Sequence, residues 1–308
     1  MFSTRVIHIV VLLGCLGLTG PAMAQKLDER PLTAVMTAFA PEKTAMVALL
    51  KDRKSLSVNG SEIVTGTLEG HRVLLAESGI SMVNASLTAQ LLIDRFKVRR
   101  IVFSGIAGGI DPSLHVGDVV VPEEWAQPME SVLMRETPEG PKAPGWMAPE
   151  LVPVAPYGVM APTVVSAGNA KSPPSYHKSF AADPALLDIA RKVAGATALK
   201  SCSDPQRCLD QKPKILVGGV GVSTMSFVDN AKFRDYLFEA WHARATDMET
   251  AAVAQVAYIN GVPFIGFRSL SDLAGGETDT NKMDAFMALA AENAAEVVKA
   301  FVAELPKQ

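Results

Sequence analysis

The segment DMETAAVAQVAYINGVPFIGFRSLSD, residues 247–272, contains a predicted helix followed directly by a predicted buried strand. Asp247 stands where the helix begins and Asn260-Gly261 where it ends, because these residue types favour helix boundaries. The run from Val262 to Leu270 is mostly apolar, which is typical of a strand covered on both faces. Helices that alternate with such strands predict an α/β fold with a mostly parallel sheet.

The rest of the chain continues this alternation of strands and helices. Predicted strands cover 33–39, 61–70, 73–78, 99–109, 114–126 and 214–223, with a hairpin between the second and the third. Predicted helices begin near Pro41 and cover 78–96, 185–195, 230–241 and 282–305. Residues 127–183 are rich in Pro, Gly and Ser, so we expect an insertion or flap with only short elements. The pattern predicts one domain over 25–308, with its ligand site beyond the carboxyl ends of the strands.

Composition narrows the class of protein. The chain has 308 residues, of which 48% are hydrophobic and 20% charged, and its net charge is −3. These values support a full globular core and exclude a disordered chain. Because the charge is negative and no basic patch interleaves with aromatic residues, we expect no nucleic acid partner.

Residues 1–24 read MFSTRVIHIVVLLGCLGLTGPAMA, in which a single Arg5 precedes a short apolar run. Ala22-Met23-Ala24 forms an A-x-A cleavage site, so we predict a secretory signal peptide cleaved after Ala24 and a periplasmic or secreted protein. An alternative is a lipoprotein signal, Leu12-Leu13-Gly14-Cys15, which would leave Cys15 lipidated. No later segment is apolar for the roughly 20 residues of a membrane span, so we expect no membrane contact after cleavage.

Two cysteines, Cys202 and Cys208, remain after signal cleavage, with a turn-prone Asp204-Pro205 between them. In an exported protein this spacing predicts a local disulfide, whose small loop contributes about 2 kcal/mol to stability. A metal site is the alternative, but no second ligand pair is nearby and the five histidines lack the spacing of a ligand set. We therefore expect no metal.

Three acidic residues adjoin apolar segments, and each is a candidate for binding or catalysis. Asp272 ends a predicted buried strand, Glu249 lies in the first turn of a predicted helix, and Glu42 follows the first strand. The alternative is that they are a turn residue, a helix-start acid and a solvated acid. A predicted glycine-rich turn, SGIAGG at 104–109, could present backbone N–H groups to a ligand. Because it lacks the G-x-G-x-x-G spacing, dinucleotide binding is disfavoured.

Four segments, in this order along the chain, carry a family resemblance. They are AVMTAFAPEKTAM from Ala34, SGIAGGIDPSLHVGDVVVP from Ser104, VSTMSFVDN from Val222 and ATDMETAAVAQVAYINGVPFIGFRSLSD from Ala245. The D-M-E-T-A-A motif followed by R-S-L-S-D is the most specific signal. Together the segments resemble the nucleoside phosphorylase and nucleosidase superfamily, and in particular its 5′-methylthioadenosine/S-adenosylhomocysteine nucleosidases. The predicted export and the cysteine-bearing segment are closer to secreted members, including plant storage proteins.

The resemblance implies a fold and a reaction. The fold is a three-layer αβα sandwich with a central mixed, mostly parallel twisted sheet. The reaction is hydrolysis of the N-glycosidic bond of an adenosine-type nucleoside, a small-molecule substrate, by a homodimer without a cofactor. Such a reaction needs an acid for the departing purine, a base for water and a group that holds the ribose. The resemblance gives these roles to Asp272, Glu42 and Glu249 respectively. It gives the remaining substrate contacts to Met248, Phe227, Val228, Ile106, Ala107, Gly108 and Ser271.

Four large side chains are open to two interpretations. Met248 and Phe227 either contact the substrate or fill space in the core. Trp146 and Tyr157, within 127–183, either cover the pocket or belong to a small core of that segment.

The sequence leaves alternatives for the nucleophile, water or phosphate, and for the identity of the nucleoside. Phosphorylases of this superfamily bring arginines to a phosphate site near the first strand and after the glycine-rich segment, but TAFAPEKTA and GGIDPSL contain none. Water is therefore favoured, with Lys43 or Arg72 as possible sources of charge for a phosphate. Ile106 replaces a serine common in the family, which leaves the substrate undetermined. A non-catalytic nucleoside-binding or storage protein is the third hypothesis.

Overall fold

The computed structural model describes residues 26–307. The predicted signal peptide, its cleavage site after Ala24 and Cys15 lie outside these residues. Between residues 26 and 307, no helix is both long and apolar enough to cross a membrane.

The described chain forms six α-helices, and their starts have local causes in the sequence. Pro41 occupies the first turn of the first helix, where a backbone N–H would have no hydrogen-bond partner within the helix, so its absence in proline removes no hydrogen bond. Asp183 and Asn230 cap the third and fourth helices by accepting hydrogen bonds from backbone N–H groups. The helices are α1 (Ala40–Leu49), α2 (Met82–Arg95), α3 (Pro184–Ala194), α4 (Ala231–Trp241), α5 (Thr250–Asn260) and α6 (Met283–Ala303).

The same residues form 18 strands and one short 3₁₀ helix at Pro149–Leu151. The strands that precede the flap are β1 (Asp28–Thr37), β2 (Lys51–Val58), β3 (Ser61–Leu68), β4 (His71–Glu77), β5 (Phe96–Gly109), β6 (Val119–Val121) and β7 (Glu124–Ala126). Those between residues 127 and 183 are β8 (Ser131–Leu133), β9 (Met160–Pro162), β10 (Val165–Asn169), β11 (Ser172–His177) and β12 (Ser179–Ala181). The remaining strands are β13 (Cys202–Asp204), β14 (Arg207–Cys208), β15 (Ile215–Val217), β16 (Val220–Ser223), β17 (Ala243–Asp247) and β18 (Phe264–Asp272).

Twelve of these strands form one mixed sheet with β5 at its centre. β5 pairs in parallel with β1 and β18, and its last residues pair antiparallel with β17. Beyond β1 the sheet continues through β4, β3 and β2, and beyond β17 it continues through β16, β7 and β12. β18 also leads into a branch formed by β6 and β15. The predicted hairpin is present as the antiparallel pair β3–β4.

Helices cover both faces of the sheet. On one face, α1, α3 and α6 pack in a core that includes Phe267 and Phe301. On the other face, α2 and α5 pack in a core that includes Phe103 and Trp125. This three-layer αβα sandwich confirms the predicted fold class.

Two predicted strands are each divided in the structure. The predicted strand 214–223 becomes β15 and β16 because Gly218 and Gly219, between them, adopt positive φ angles of 105° and 78°. The chain changes partner there, since β15 pairs with β6 whereas β16 pairs with β7 and β17. The predicted strand 114–126 likewise becomes β6 and β7. The sheet therefore branches where the sequence alone suggested continuous strands.

The prediction of a glycine-rich turn at 104–109 is wrong. β5 continues through Gly109, because β18 pairs with it as far as Gly108 and β17 pairs with its last two residues. The glycines therefore lie inside a central strand. Strands β2 and β17 were not predicted, and β2 has a mostly polar, exposed sequence with little apolar periodicity.

Residues 127–183 contain only short elements, but their last strand belongs to the domain itself. β8 pairs with β9, and β10 pairs with β11, as separate two-stranded sheets. β12 instead pairs with β7 at the edge of the main sheet, and its Phe180 is buried in the core. The flap is therefore shorter than the predicted boundaries.

The two aromatic residues of the flap have different environments. Tyr157 contacts the rings of Phe233 and Tyr236 on α4, in a small apolar cluster. Trp146 is 67% exposed. Tyr157 is thus part of a core that supports α4, and neither side chain lines the cavity described below.

A disulfide joins Cys202 to Cys208, as the spacing predicts. It closes the exposed hairpin β13–β14. The disulfide therefore constrains a surface segment between α3 and β15.

Candidate active site

A cavity opens where several strands of the central sheet end. All ten substrate-contact and catalytic residues predicted from the sequence line it: Glu42, Ile106, Ala107, Gly108, Phe227, Val228, Met248, Glu249, Ser271 and Asp272. Five segments bring them together, namely the first turn of α1, the end of β5, the loop after β16, the β17–α5 junction and the end of β18. Parallel strands bring their carboxyl ends to one edge of a sheet, which is why residues far apart in sequence meet here.

A bulge at the end of β18 turns two adjacent side chains into the cavity. Leu270 pairs with Ala107 of β5 and Asp272 pairs with Gly108, so two residues of β18 advance while β5 advances by one. In a regular strand, neighbouring side chains point to opposite faces. The extra residue re-aims the chain, and both Ser271 and Asp272 therefore line the cavity.

Arg268 is the main residue of the site that the sequence analysis did not assign. Its side chain is fully buried and its guanidinium faces three carboxylates. Nε lies 2.8 Å from Asp247 Oδ2, Nη1 lies 3.5 Å from Glu42 Oε1, and Nη2 lies 3.4 Å from Glu249 Oε2. An arginine within the apolar run GFRSL was the available signal, because a buried arginine must be paired.

Further hydrogen bonds fix the orientation of the Arg268 side chain. Its Nε and Nη2 donate to Thr250 Oγ1 at 2.9 and 2.7 Å, and Nη1 donates to the Ile106 carbonyl at 3.1 Å. The guanidinium also stacks over the Phe103 ring at 4.3 Å. The arginine is therefore held by polar contacts on its edges and by an aromatic face.

Close packing explains why residue 105 within β5 is a glycine. A Cβ atom at this position would lie 2.3 Å from both Arg268 Nη1 and Glu42 Oε1. No side chain fits at that separation, so only glycine allows the ion pair to pack directly against the strand.

Glu42 is buried and points from α1 towards β5. Its Oε2 accepts a hydrogen bond from the Ala38 N–H at 2.6 Å, and its Oε1 accepts one from the Ile106 N–H at 2.8 Å. Burial raises the pKa of Glu42, and Arg268 and the two N–H groups only partly offset that effect. A buried carboxylate of raised pKa on the cavity wall is suited to accept a proton from water.

Glu249 lies directly before α5, at its N-cap, and not in its first turn as predicted. The side chain of Asp247, and not that of Glu249, binds the free backbone N–H groups at the start of α5. Its Oδ1 accepts hydrogen bonds from the N–H groups of Glu249 and Thr250 at 3.1 and 3.2 Å. The Ser223 and Thr250 hydroxyls also donate to Asp247. Glu249 is thus free of the capping role and lines the cavity.

The environment of Glu249 favours its protonated form. Burial raises its pKa to about 7, with the charges of Asp247 and Glu42 acting in the same direction against Arg268. The Ser81 N–H donates to its Oε1 at 2.9 Å. The carboxyl group keeps acceptor capacity towards the cavity, where it could hold ligand hydroxyls.

Among residues 26–307, Asp272 has no arginine partner and accepts hydrogen bonds from neutral donors. Its Oδ2 accepts a hydrogen bond from the Ser271 hydroxyl at 2.8 Å, and its Oδ1 accepts one from the Ala274 N–H at 2.9 Å. Burial raises its pKa despite these bonds. Ser271 also lies 3.4 Å from the Ala107 carbonyl, so its hydroxyl has an alternative acceptor when Asp272 is protonated. The site can therefore hold Asp272 as an acid.

Apolar side chains complete the cavity wall. Phe227 is 53% exposed at its rim, which excludes the alternative that this ring fills space in the core. Val228 is buried, and Met248 is partly buried on the wall. Phe39, Ile80 and Met283 also line the cavity and were not predicted.

The family model of the phosphorylase superfamily matches residues 33–303. The chain belongs to this superfamily. It is 31% identical to the 5′-methylthioadenosine/S-adenosylhomocysteine nucleosidase of Halalkalibacterium halodurans, over 88% of this chain and 97% of the relative. These findings confirm the resemblance and the prediction of an enzyme of the nucleosidase type.

Solved structures of the superfamily agree with this fold. The 5′-methylthioadenosine/S-adenosylhomocysteine nucleosidase of Neisseria meningitidis, in complex with methylthio-immucillin-A, matches with a TM-score of 0.66 at 25% identity, over 89% of this chain and 99% of that one. The futalosine hydrolase of Helicobacter pylori matches with a TM-score of 0.67 at 24% identity, over 92% and 99% respectively. The second likeness shows the shared fold.

The raised pKa of Glu249 predicts a pH dependence of stability. Between pH 4.5, the ordinary pKa of a glutamate, and about pH 7, the folded protein binds more protons at Glu249 than the unfolded chain does. The free energy of unfolding should therefore decrease as pH rises through this range. Glu249→Gln cannot ionise and should flatten this decrease by a few kcal/mol, as measured by urea unfolding at several pH values. Glu29→Gln, an exposed acid, is the control; equal pH dependence in both variants would contradict the assignment.

Proposed function

We propose that this protein hydrolyses the N-glycosidic bond of an adenosine-type nucleoside, with 5′-methylthioadenosine and S-adenosylhomocysteine as its substrates. The observation that carries the proposal is that Glu42, Glu249 and Asp272, from three different elements, line one cavity. The Halalkalibacterium halodurans relative, a 5′-methylthioadenosine/S-adenosylhomocysteine nucleosidase, supports the same substrate class.

Each of the three acids has an environment that suits one step. Asp272 is buried and has no cationic partner in the described part of the chain. It gives its proton to N7 of the purine as the C1′–N9 bond breaks and the bonding electrons move to the base. The oxocarbenium-like sugar then gains the oxygen of water, whose proton passes to Glu42. Glu249 accepts hydrogen bonds from the ribose hydroxyls. Phe227 at the rim stacks on the purine, and Met248 packs against the sugar.

The positions of the lysine and arginine side chains bear on whether water or phosphate is the nucleophile. None of the residues that line the described cavity is lysine or arginine. Lys43 pairs with Glu62 at 2.7 Å, and Arg72 pairs with Asp28 at 2.7 Å. Arg268 is already surrounded by three carboxylates, which would repel a phosphate. These contacts support hydrolysis over the alternative of a phosphorylase.

Product analysis tests the reaction. Protein comprising residues 25–308 should release free base and unphosphorylated sugar from 5′-methylthioadenosine, S-adenosylhomocysteine, adenosine or futalosine, at a rate independent of phosphate. Asp272→Asn should lower kcat about 10²- to 10⁴-fold with little change in KM, because it removes the proton but keeps the shape. Asp279→Asn, an exposed residue, is the matched control.

Two other outcomes would select the alternatives. Phosphate-dependent release of a sugar 1-phosphate would identify a phosphorylase. Nucleoside binding without cleavage by the wild-type protein would identify a non-catalytic binding or storage protein, and unchanged turnover in Asp272→Asn would contradict the assigned acid.

We also propose a homodimer, as the family resemblance implies. Val83 and Leu87 are 57% and 66% exposed at helical spacing on α2, and Ile80 before them is exposed and lines the cavity. Sedimentation velocity should give twice the mass of one chain for the wild type, and Leu87→Glu should give one chain. Leu133→Glu, on the flap and 74% exposed, is the control that stays dimeric. A wild-type protein with the mass of one chain would overturn this proposal.

We further propose that the protein is exported to the periplasm or secreted. The composition of residues 1–24 and the disulfide between Cys202 and Cys208 support this location. Intact-mass analysis of protein from the extracytoplasmic fraction should give a chain that begins at Gln25 with no free thiol. A chain that starts at Met1 in the cytoplasm would contradict export, and a lipid on Cys15 would select the lipoprotein alternative.

A further inference from the structure

The loop between β18 and α6, residues 273–282, folds against the carboxylate of Asp272. Glu277, near its middle, connects both of its ends. Its Oε1 accepts a hydrogen bond from the Leu273 N–H at 2.7 Å and a longer one from the Lys282 N–H at 3.4 Å. One carboxylate oxygen therefore closes the whole loop.

Asn281 connects this loop to the acid and to the segment that follows Val228. Its Nδ2 lies 3.4 Å from Asp272 Oδ1 and 3.2 Å from Asp229 Oδ1. Its Oδ1 accepts a hydrogen bond from the Met283 N–H at 2.9 Å, at the start of α6. A change in the conformation of the loop would therefore alter the hydrogen bonding of Asp272.

The second oxygen of Glu277 is unusual. Oε2 is buried and has no hydrogen-bond partner among residues 26–307. When Glu277 is ionised, no donor among the described residues reduces the negative charge on this oxygen.

We propose that Glu277 is a positioning residue for Asp272: it closes the 273–282 loop and keeps a negative charge behind the acid. This inference rests on the proposed function, in which Asp272 is the general acid. Glu277 does not line the cavity and acts through Asp272 alone.

The groups around Asp272 determine the sign of the effect. Glu277 raises the pKa of Asp272 in addition to burial, whereas the Ala274 N–H, Ser271 and Asn281 lower it. The neighbouring elements also carry Asp229, reached through Asn281, and Arg234 of α4, and the loop itself carries Asp279 and Lys282. Arg234 lies against Gly276 and donates its Nε to the Gly109 carbonyl at 3.0 Å.

The charge of Glu277 raises the pKa of Asp272 and the three hydrogen-bond donors lower it, a combination that suits a group that first holds and then gives up a proton. Before the reaction, the like charge of Glu277 disfavours ionised Asp272, so the proton stays on the acid. After transfer to the purine, the three donors stabilise the new carboxylate. Removal of the Glu277 charge should therefore let Asp272 lose its proton at lower pH, before substrate binds.

The test compares pH profiles of kcat/KM for wild type, Glu277→Gln, Glu277→Asp and Asp279→Asn. Glu277→Gln keeps an Oε1 acceptor for the loop but removes the charge, so the alkaline limb should move to lower pH. On the alkaline limb its kcat/KM should fall about three- to tenfold relative to wild type, with less than about a twofold change on the acid side of the profile. Asp279→Asn removes the same charge from an exposed position in the same loop and should leave the profile unchanged.

Glu277→Asp separates charge from loop closure. It keeps the charge on a shorter side chain, so the alkaline limb should stay near that of wild type while kcat falls at every pH. If Glu277→Gln has the wild-type profile, or if Asp279→Asn shifts equally, the proposal is wrong.

A second readout does not depend on catalysis. Titration of ¹³C-carboxyl-labelled aspartate by NMR, with the Asp272 signal assigned through Asp272→Asn, follows the acid directly in folded protein. The Asp272 midpoint should fall in Glu277→Gln and not in Asp279→Asn, and an unchanged midpoint would overturn the proposal. If the wild type cleaves no nucleoside, the proposed function fails, and this titration still decides the relation between Glu277 and Asp272.

Discussion

One buried guanidinium, that of Arg268, holds the site together. Three carboxylates from α1, β17 and the start of α5 converge on it, and their combined negative charge exceeds its single positive charge. Removing charges from water costs several kcal/mol per ion, so this cluster is stable only if the ion pairs, hydrogen bonds and a shared proton offset that cost. Burial is the main cause that raises the pKa of Glu249 to about 7, and the charges of Asp247 and Glu42 add to it against Arg268.

The surrounding fold accommodates this cluster. Gly105 leaves the space in which Glu42 and Arg268 pack against β5. Asp247 caps α5 and binds Arg268 at once, which leaves Glu249 to face the cavity. Asp272, beyond the bulge on the same strand as Arg268, lies among neutral donors instead. The electrostatic environment of Asp272 therefore differs from that of Glu42 and Glu249, as the proposed acid and base steps require.

Regular alternation made much of the fold predictable. Long apolar runs gave β5 and β18, and the helical periods gave α2 through α6 to within a few residues. Partner changes were not predictable, because Gly218 and Gly219 break one apolar run through backbone angles that residue type permits but does not require. The glycines at the end of β5 were predicted to form a turn, because glycine is common both in turns and at positions in strands where other groups pack closely against the backbone. Strand β2, polar and exposed, carried too little apolar pattern to be recognised.

The sequence by itself determined the αβα class, the family, the disulfide pair and the identity of the acids that line the cavity. These follow from local periodicity, from spacing and from motifs that are contiguous in the chain. Only the tertiary structure decided how those acids differ, since their environments come from residues distant in sequence. Arg268 meets Glu42 across 226 positions, and Ser81 reaches Glu249 across 168. Burial and charge at such contacts are properties of the packed molecule, because no local pattern specifies which side chains exclude water from which carboxylate.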